Sequence, residues 1–435
     1  MKREDFIVST LGKANLPSPV VGQAFVSDDE TVCYDTDAKH IAEYIRNNED
    51  IPAFERAGAR EMIFHDPAWS RAAILTAGGL CPGLNEVIKF LTQTLMNDYK
   101  VPVVYGIPYG YRGLNPARKL SPIHLSMEMV DAIHEEGGTI LGSSRGQEDT
   151  NVIVDTLMRM NINMLFCIGG DGTARCAHDI AMEIKRRKLA ISVICVPKTV
   201  DNDLNFIDQT FGFATAVLQA GPYITCAHSE AKGAYNGVGL VKVMGRDSGF
   251  IAAYTALSNP FVNYCLVPEV PFTLEGEGTK SLLPHLVERL KAKQHAVILV
   301  AEGAGQELFK DQEVKRDASG NKLHNDIGTF LKGEINRYCK EQGIEVNVKY
   351  FDPGYAIRSV KAVGSDAVFC AMLAAGAVHA AMAGKTDVMI GHWAGQFTHV
   401  PIALATSSRK KIELDSTLWS NVQAMTCFKQ QKPKK

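Results

Sequence analysis

Short apolar runs alternate with amphipathic stretches along the middle of the chain, and several of these runs end in a turn rich in glycine or aspartate. Residues 163–167 and 191–196 are two such runs, and each has the length and composition of a strand buried on both faces. Strands that alternate with helical segments predict an α/β fold with parallel, doubly wound sheets. Further runs of this kind are residues 71–76, 101–105, 238–243 and 296–300.

Two polar turns that follow neighbouring runs define the predicted site. Gly169-Gly170-Asp171-Gly172-Thr173 follows the first run, and residues 197–203 (PKTVDND) follow the second. Ligands of open α/β sheets bind outside the carboxyl ends of the strands, so we expect the two turns to meet at one site. Glycines let backbone N–H groups approach phosphate oxygens, while Asp171, Asp201 and Asp203 could hold magnesium or accept a proton. This combination predicts phosphoryl transfer.

Two further turns suggest contacts to phosphate. Gly78 and Gly79 follow the run at 71–76 and precede an amphipathic segment at 86–96, which is the order of a strand, a phosphate-binding turn and a helix. Glycine pairs are also common in turns without any ligand, so this alternative stays open. Arg145 lies among small residues, which leaves its guanidinium accessible for a bidentate phosphate contact.

The pattern of strands and turns repeats in a second lobe. The run at 238–243 ends in Met244-Gly245-Arg246, and the run at 296–300 leads to Glu302. We expect Arg246, Glu269 and Glu302 to line a cleft where a phosphorylated sugar could bind. Residues 310–325 are charged and contain glycine, which predicts a surface loop.

Composition narrows the class of protein. The chain has 435 residues, 46% of them hydrophobic, and a net charge of -2, which indicates two lobes and gives no reason to expect nucleic acid. The ten cysteines form no CxxC pair, and most lie in apolar runs, which favours reduced thiols and a cytoplasmic protein. No apolar segment of a signal peptide follows Met1. Residues 367–383 form the longest apolar stretch, which is too short for a membrane span and predicts a buried helix.

Seven motifs occur along the chain in the order typical of the 6-phosphofructokinases, which the chain resembles. The similarity is to the longer lineage related to pyrophosphate-dependent enzymes, and it covers residues 72–399. It implies an α/β fold of two Rossmann-like lobes with mostly parallel sheets and an active-site cleft between them. The motifs are Gly78-Gly79, GGDGT (169–173), PKTVDND (197–203), MGR (244–246), PEVPF (268–272), EGAG (302–305) and YAIR (355–358).

The resemblance also implies a division of the chain. Residues 1–70 would form an N-terminal extension that wraps around or pairs with the rest. Residues 71–209 plus 359–400 would form the nucleotide-binding lobe. Residues 210–358 plus 401–435 would form the sugar-phosphate-binding lobe and the C-terminal tail.

The family's functional residues map onto positions of this chain. Asp201 would be the base that accepts the proton of the fructose 1-hydroxyl, and Asp171, with help from Asp203, would hold Mg²⁺. The nucleotide would be bound by Gly79, Arg145, Gly146, Gly170, Asp171, Gly172 and Thr173. Fructose 6-phosphate would be bound by Thr199, Val200, Asp201, Met244, Gly245, Arg246, Glu302, Tyr355 and Arg358.

The phosphoryl donor depends on two positions. Pyrophosphate-dependent relatives carry an aspartate directly after GGD and a lysine in the following turn, whereas this chain has Gly172 together with Lys198. An aspartate at 172 would repel the α-phosphate of a nucleotide, and glycine leaves that path open. Lys198 can assist transfer from either donor. We therefore expect ATP, with pyrophosphate as the alternative.

Two departures from the family pattern bear on the site. Cys176 stands where many relatives have a glycine beside the nucleotide, and Gly237 stands where shorter bacterial relatives have a phosphate-binding arginine. Lys349 of a neighbouring subunit could replace that arginine. The resemblance accordingly implies an allosteric, glycolytic homotetramer or homodimer.

Two other classes of protein stay open. A catalytically silent regulatory subunit would be expected to lose acidic site residues, yet Asp171, Asp201 and Asp203 are all present. An NAD-kinase-like enzyme would explain the GGDGT turn but not the MGR, PEVPF and YAIR motifs.

Overall fold

The computed structural model describes residues 1–276, 281–309 and 324–429. The surface loop predicted for residues 310–325 therefore lies outside the described residues, apart from its last two. The strands are β1 (Ser9–Thr10), β2 (Leu16–Pro17), β3 (Thr31–Cys33), β4 (Ala53–Arg56), β5 (Met62–Ile63), β6 (Arg71–Thr76), β7 (Val103–Ile107), β8 (Ile123–His124), β9 (Met164–Gly169), β10 (Ser192–Pro197), β11 (Gly237–Val243), β12 (Tyr264–Leu266), β13 (His295–Ala301), β14 (Asn347–Phe351), β15 (Lys385–Thr386), β16 (Val388–Trp393) and β17 (Gln396–Pro401). The α-helices are α1 (Ala38–Arg46), α2 (Leu84–Gln93), α3 (Met127–Val130), α4 (Thr150–Arg159), α5 (Asp171–Arg186), α6 (Phe213–Gly233), α7 (Phe250–Ser258), α8 (Leu282–Lys293), α9 (Ile327–Glu341), α10 (Gly364–Met382), α11 (Ile402–Ala405) and α12 (Thr417–Met425).

The chain divides into two units, each formed from several segments. The first unit comprises Met1–Thr199, Leu204–Gly212 and Val360–Arg409, and the second comprises Val200–Asp203, Phe213–Ser359 and Lys410–Lys435.

These bounds differ from the predicted ones in five segments. Residues 1–70, 210–212 and 401–409 belong to the first unit, and Ser359 and residues 200–203 belong to the second. The last difference has a local cause, because Ser248 Oγ donates to the Asp201 carbonyl (3.1 Å) and the Lys410 N–H donates to the Asp203 carbonyl (3.0 Å).

The first unit is built on a nine-stranded sheet in the order β3-β4-β17-β16-β10-β9-β6-β7-β8. Its five central strands, β16, β10, β9, β6 and β7, are parallel, and the pairs at both edges are antiparallel. Every residue of β9 and β10 is buried, as expected for apolar strands with helices packed on them. The prediction of an α/β fold with mostly parallel sheets is confirmed.

The N-terminal extension completes this unit. Strands β3 and β4 extend the sheet beyond β17, while β1 pairs with β15 and β2 pairs with β5. Sequence patterns could not reveal these pairings, because strands of two to four residues carry too few alternating positions to show a period.

A buried cluster of charges fixes the extension to the sheet. Glu55 of β4 accepts hydrogen bonds from Arg60 Nη2 (2.8 Å), Lys385 Nζ (2.9 Å) and His399 Nδ1 (2.9 Å). Burial raises the pKa of Glu55, but the hydrogen bonds and charges of His399 and Lys385 outweigh it and bring the pKa to about 2. Burial lowers the pKa of His399, and the Glu55 carboxylate opposes that shift only in part.

The second unit contains a smaller sheet in the order β12-β13-β11-β14, and all three pairs are parallel. Helix α6 packs on β11, β13 and β14, and helices α8 and α9 contribute Leu286, Leu290, Leu331 and Ile335 to a separate hydrophobic core. Each unit therefore has its own sheet and its own core.

Among the described residues, one helix, α10, is long and apolar enough to cross a membrane by length and composition. In the first unit α10 packs along α2 and also contacts β10 and β16. His379 of this helix is buried and its Nδ1 lies 2.8 Å from Tyr99 Oη. The buried helix predicted from residues 367–383 is confirmed.

We expect Glu55→Gln to destabilise the protein by about 3 kcal/mol at pH 7, because it leaves buried cations without their carboxylate. Since the folded pKa of Glu55 lies below its usual value of 4.5, its contribution is complete above that pH and is lost as the pH falls toward 2. Urea unfolding at pH 7 and pH 3 measures both effects. The exposed Glu49→Gln is the control, and equal stability of the two variants at pH 7 would contradict the assignment.

Candidate functional site

The first part of the candidate site lies where the order of the parallel strands reverses. From β6 the chain passes to β7 on one side of it and later returns to β9 on its other side. Such a reversal opens a crevice at the carboxyl ends of the two strands. The turn at Gly78-Gly79 follows β6, and the GGDGT turn follows β9, so the sheet brings these two predicted motifs to the same edge.

A cavity of about 570 Å³ opens beside the first of these turns. The carbonyl of Gly78 accepts a hydrogen bond from Ser143 Oγ (2.6 Å), and its N–H donates to the Ser144 carbonyl (3.0 Å), which ties the loop before Arg145 to the turn. Small residues with one arginine suit a phosphate or a nucleotide. The lining residues are Gly78, Gly79, Leu80, Gly137, Gly138, Thr139, Gly142, Ser143, Ser144 and Arg145.

The GGDGT turn starts helix α5. Gly170 is its N-cap and Asp171 its first residue, so the backbone N–H groups of the first turn are available to an anion. The Thr173 carbonyl accepts a hydrogen bond from the buried Tyr111 hydroxyl (2.8 Å), which fixes the start of the helix. A Cβ atom added at Gly172 would meet no atom within 4 Å. The absence of a side chain at 172 is therefore not required by packing.

Lys198 and Thr199 follow β10. Lys198 is buried, and its Nζ donates to the Gly79 carbonyl at 2.8 Å, which places its charge at the turn after β6. The Thr199 carbonyl accepts a hydrogen bond from Thr210 Oγ1 (2.6 Å).

Cys176 lies in α5, one helical turn after Thr173, and is half-buried. Burial raises the pKa of its thiol to about 11, so the side chain is neutral at pH 7.

In the second unit, the ends of β11 and β13 bring together residues of two predicted motifs. The Glu302 N–H donates to the Val243 carbonyl (2.9 Å), and the Gly303 N–H donates to the Gly245 carbonyl (3.0 Å). A Cβ atom at Gly303 would lie 1.9 Å from the Arg246 carbonyl, so only glycine permits this approach. Met244, Gly245, Arg246 and Glu302 are thereby held at one edge of the second sheet.

Asp201 and Asp203 belong to this second unit. Burial and the negative charges of Asp203 and Glu302 raise the pKa of Asp201 from 3.8 to about 7, and Arg246 opposes the shift only in part. A carboxyl group with a pKa near neutrality can both accept and release a proton at physiological pH, which is the property of a general base.

Tyr355 and Arg358 lie on a short helical turn of the second unit. The guanidinium of Arg358 lies over the Tyr355 ring at 4.8 Å, and its Nη1 lies 3.8 Å from Met244 Sδ. This contact links the YAIR motif to the MGR motif. The hydroxyphenyl ring of Tyr355 is largely exposed.

Three side chains near the predicted site residues are not predicted by any pattern in the sequence. His324 is close enough to Glu302 and Arg246 for their charges to affect its pKa, which burial lowers. Arg175 and Arg409 pair with Asp171 in the first unit. None of these residues lies in a motif or directly follows a predicted strand. The predicted cleft residue Glu269 accepts hydrogen bonds from the backbone N–H groups of Gly249 (3.0 Å) and Ile412 (2.9 Å) through one carboxylate oxygen.

The donor set around Asp171 fits magnesium that arrives with phosphate. The described part of the chain contains no group of three His, Cys, Asp or Glu residues able to enclose a metal ion. Mg²⁺ usually takes one or two carboxylates and completes its coordination with water and substrate phosphates, so a carboxylate at the start of a phosphate-binding helix is a suitable ligand.

The fold and these sites define a two-unit α/β protein with a glycine-rich turn at the start of α5 in the first unit and a cluster of carboxylates and arginines in the second. The sequence profile described as phosphofructokinase matches residues 71–381. The chain belongs to the phosphofructokinase family.

Similar curated proteins match over nearly the whole chain. The ATP-dependent 6-phosphofructokinase of Borreliella burgdorferi is 46% identical over 434 residues, covering 97% of this chain and 96% of the relative. The ATP-dependent 6-phosphofructokinase of Amycolatopsis methanolica is 42% identical and covers 98% and 95% of the two chains. That of Trypanosoma brucei brucei is 45% identical and covers 86% and 76%.

Solved structures share the fold at low sequence identity. The pyrophosphate-dependent phosphofructokinase of Marinobacter aquaeolei superimposes with a TM-score of 0.67 at 20% identity, over 84% of this chain and 93% of that one. That of Nitrosospira multiformis gives a TM-score of 0.65 at 18% identity, over 85% and 94%.

We expect Asp201→Asn to stabilise the protein increasingly as the pH rises. Because the folded pKa of Asp201, about 7, exceeds its usual 3.8, ionisation opposes folding above pH 3.8, and the penalty is complete above pH 7. The stability gain of the variant should grow by about 3 kcal/mol between pH 5 and pH 8. Chemical denaturation at both pH values measures it, and a gain that does not depend on pH would contradict the raised pKa.

Proposed function

We propose that this protein is an ATP-dependent 6-phosphofructokinase, which transfers the γ-phosphoryl group of ATP to the 1-hydroxyl of D-fructose 6-phosphate and releases fructose 1,6-bisphosphate and ADP. Family membership and the ATP-dependent relatives that match almost end to end support this reaction. The single structural observation that carries it is the carboxyl group of Asp201, whose pKa is raised to about 7 beside Arg246 and Glu302.

In this proposal Asp201 accepts the proton of the attacking hydroxyl. Arg246 and Arg358 supply positive charge for the sugar phosphate, and Glu302 accepts hydrogen bonds from sugar hydroxyls. Met244 and Gly245 shape the same edge of the second sheet. Thr199, Val200 and Tyr355 remain predicted sugar contacts.

On the donor side, the cavity beside Gly79 and Arg145 would receive the nucleotide, with Gly146 next to it in the chain. The first turn of α5, from Gly170 to Thr173, would direct its N–H groups at the phosphates. Asp171 would hold Mg²⁺ together with donor phosphate oxygens, and the role of Asp203 at the metal stays a prediction. When bound, the ion neutralises charge that develops on the transferring phosphoryl group.

The choice of ATP over pyrophosphate rests on Gly172. The open space around this position leaves a path for the α-phosphate, and Lys198 at the Gly79 carbonyl adds a cation that either donor could use. A silent regulatory subunit is the non-enzyme alternative, and the retained carboxylates at 171, 201 and 203 weigh against it.

We further propose a cytoplasmic, allosteric homotetramer or homodimer. The ten cysteines are free, as in a reducing compartment. A Cβ at Gly237 would lie 2.1 Å from the Ala231 carbonyl, so this position cannot carry a phosphate-binding arginine, and Lys349 of a second copy is our candidate replacement. Analytical ultracentrifugation, followed by complementation between Asp201→Asn and Lys349→Ala chains, tests a shared site.

The first test addresses the base. Asp201→Asn should lower kcat by a factor on the order of 10² to 10⁴ with little change in the binding of fructose 6-phosphate, because the amide keeps size and polarity but accepts no proton. In the wild type, kcat/KM should fall about tenfold per pH unit below pH 7, provided the pKa of Asp201 governs it. Turnover of the variant near the wild-type rate would refute the assignment.

The second test addresses the donor. The wild type should use ATP with fructose 6-phosphate and magnesium and be almost inert with pyrophosphate, and Gly172→Asp should lose ATP activity through like-charge repulsion. Gly172→Asn has nearly the same size without the charge and should retain more ATP activity. The empty space at 172 lets both variants fold, which thermal denaturation verifies. Robust wild-type turnover with pyrophosphate would favour the alternative donor.

A further inference from the structure

Two arginines from distant parts of the first unit converge on one carboxylate. Asp171 Oδ2 lies 3.1 Å from Arg175 Nε and 3.7 Å from Arg409 Nη2. Arg175 is one helical turn after Asp171, whereas Arg409 comes from the end of the unit's last segment. The three side chains, which we call the Asp171 triad, carry a net charge of +1.

Contacts with neighbouring segments hold both arginines of the Asp171 triad in place. Arg175 Nη2 donates to the Thr406 carbonyl at 2.5 Å, just after α11, so this guanidinium bridges the helix and the distant segment. The backbone of Arg409 forms a bridge with Leu204, and the neighbouring Ser408 Oγ accepts a hydrogen bond from Asn205 Nδ2 (2.6 Å). The side chain of Asp171 is 18% exposed and that of Arg409 is 29% exposed, so water screens this pair less than the pair with Arg175, which is 54% exposed.

This arrangement has a consequence for metal binding. A free divalent cation that approaches Asp171 meets a carboxylate oxygen already engaged by two positive groups, and its charge is repelled by both. A metal ion that arrives with donor phosphates meets no such barrier, because the phosphates are anionic and can take over the arginine contacts.

We propose that Arg175 and Arg409 are positioning residues that make metal capture at Asp171 conditional on the donor phosphates. The inference rests on the proposed function, in which Asp171 is the metal ligand. If the two arginines weaken binding of the free ion by a given factor, bound nucleotide should raise the metal affinity by that factor. Because the two binding equilibria are linked, bound metal should raise the nucleotide affinity by the same factor.

The test uses Mn²⁺ as the probe and electron paramagnetic resonance as the readout, on the full chain with and without ADP. Wild type should bind Mn²⁺ weakly alone and much more tightly with ADP. Arg175→Gln and Arg409→Gln should each bind Mn²⁺ alone about tenfold more tightly, as loss of one nearby charge implies. The ADP-dependent gain in Mn²⁺ affinity should shrink by the same factor.

Two controls separate this role from a structural one. Arg186→Gln removes an exposed arginine of the same helix that pairs with Glu183, and it should leave Mn²⁺ binding unchanged. Adding Asp171→Asn to Arg175→Gln should abolish the increased affinity, since the gain acts through that carboxylate. Calorimetric melting confirms that the variants are folded.

Unchanged Mn²⁺ affinity in folded Arg175→Gln and Arg409→Gln, or tight Mn²⁺ binding to the nucleotide-free wild type, would overturn the proposal. The proposed function fails separately, through absent turnover of ATP and fructose 6-phosphate. The comparison of Mn²⁺ affinities between nucleotide-free wild type and variants decides the role of the triad in either case.

Discussion

The parallel pairing of β6, β9 and β10 is the constraint on which the proposed donor site depends. These strands are buried along almost their full length, because exposing their apolar side chains to water would be unfavourable. In the observed register Thr76 pairs with Ile168, and Gly169 pairs with Pro197. Because the strands run in the same direction, their carboxyl ends coincide, and the turns that follow them share one edge.

A second constraint concerns charge. In the second unit, burial and then the negative charges of Asp203 and Glu302 raise the pKa of Asp201. Both effects oppose folding once this group is ionised, and together they produce a carboxyl group able to exchange a proton at neutral pH. In the first unit the balance of charge at Asp171 is the opposite, because two arginines pair with one carboxylate. The two acidic turns therefore differ in electrostatics.

The close backbone contacts explain why glycines occur where they do. Gly303 permits the Arg246 carbonyl to approach, and Gly237, the first residue of β11, lies against the Ala231 carbonyl of α6. Gly172 differs from both, because nothing surrounds the position where its side chain would be. A glycine that packing does not require is a better candidate for a role toward a ligand than one that packing demands.

The sequence by itself determined the alternation of strands and helices, the turns that carry Gly79, Asp171, Asp201 and Arg246, and the burial of α10. Periodicity and turn composition report such features because they depend on residues close together in the chain. Only the tertiary structure decided that residues 1–70 complete the first sheet, that residues 200–203 belong to the second unit, and that Arg175 and Arg409 meet at Asp171. These features join segments far apart in sequence, and pKa shifts depend on the distances between such segments, which no local pattern encodes.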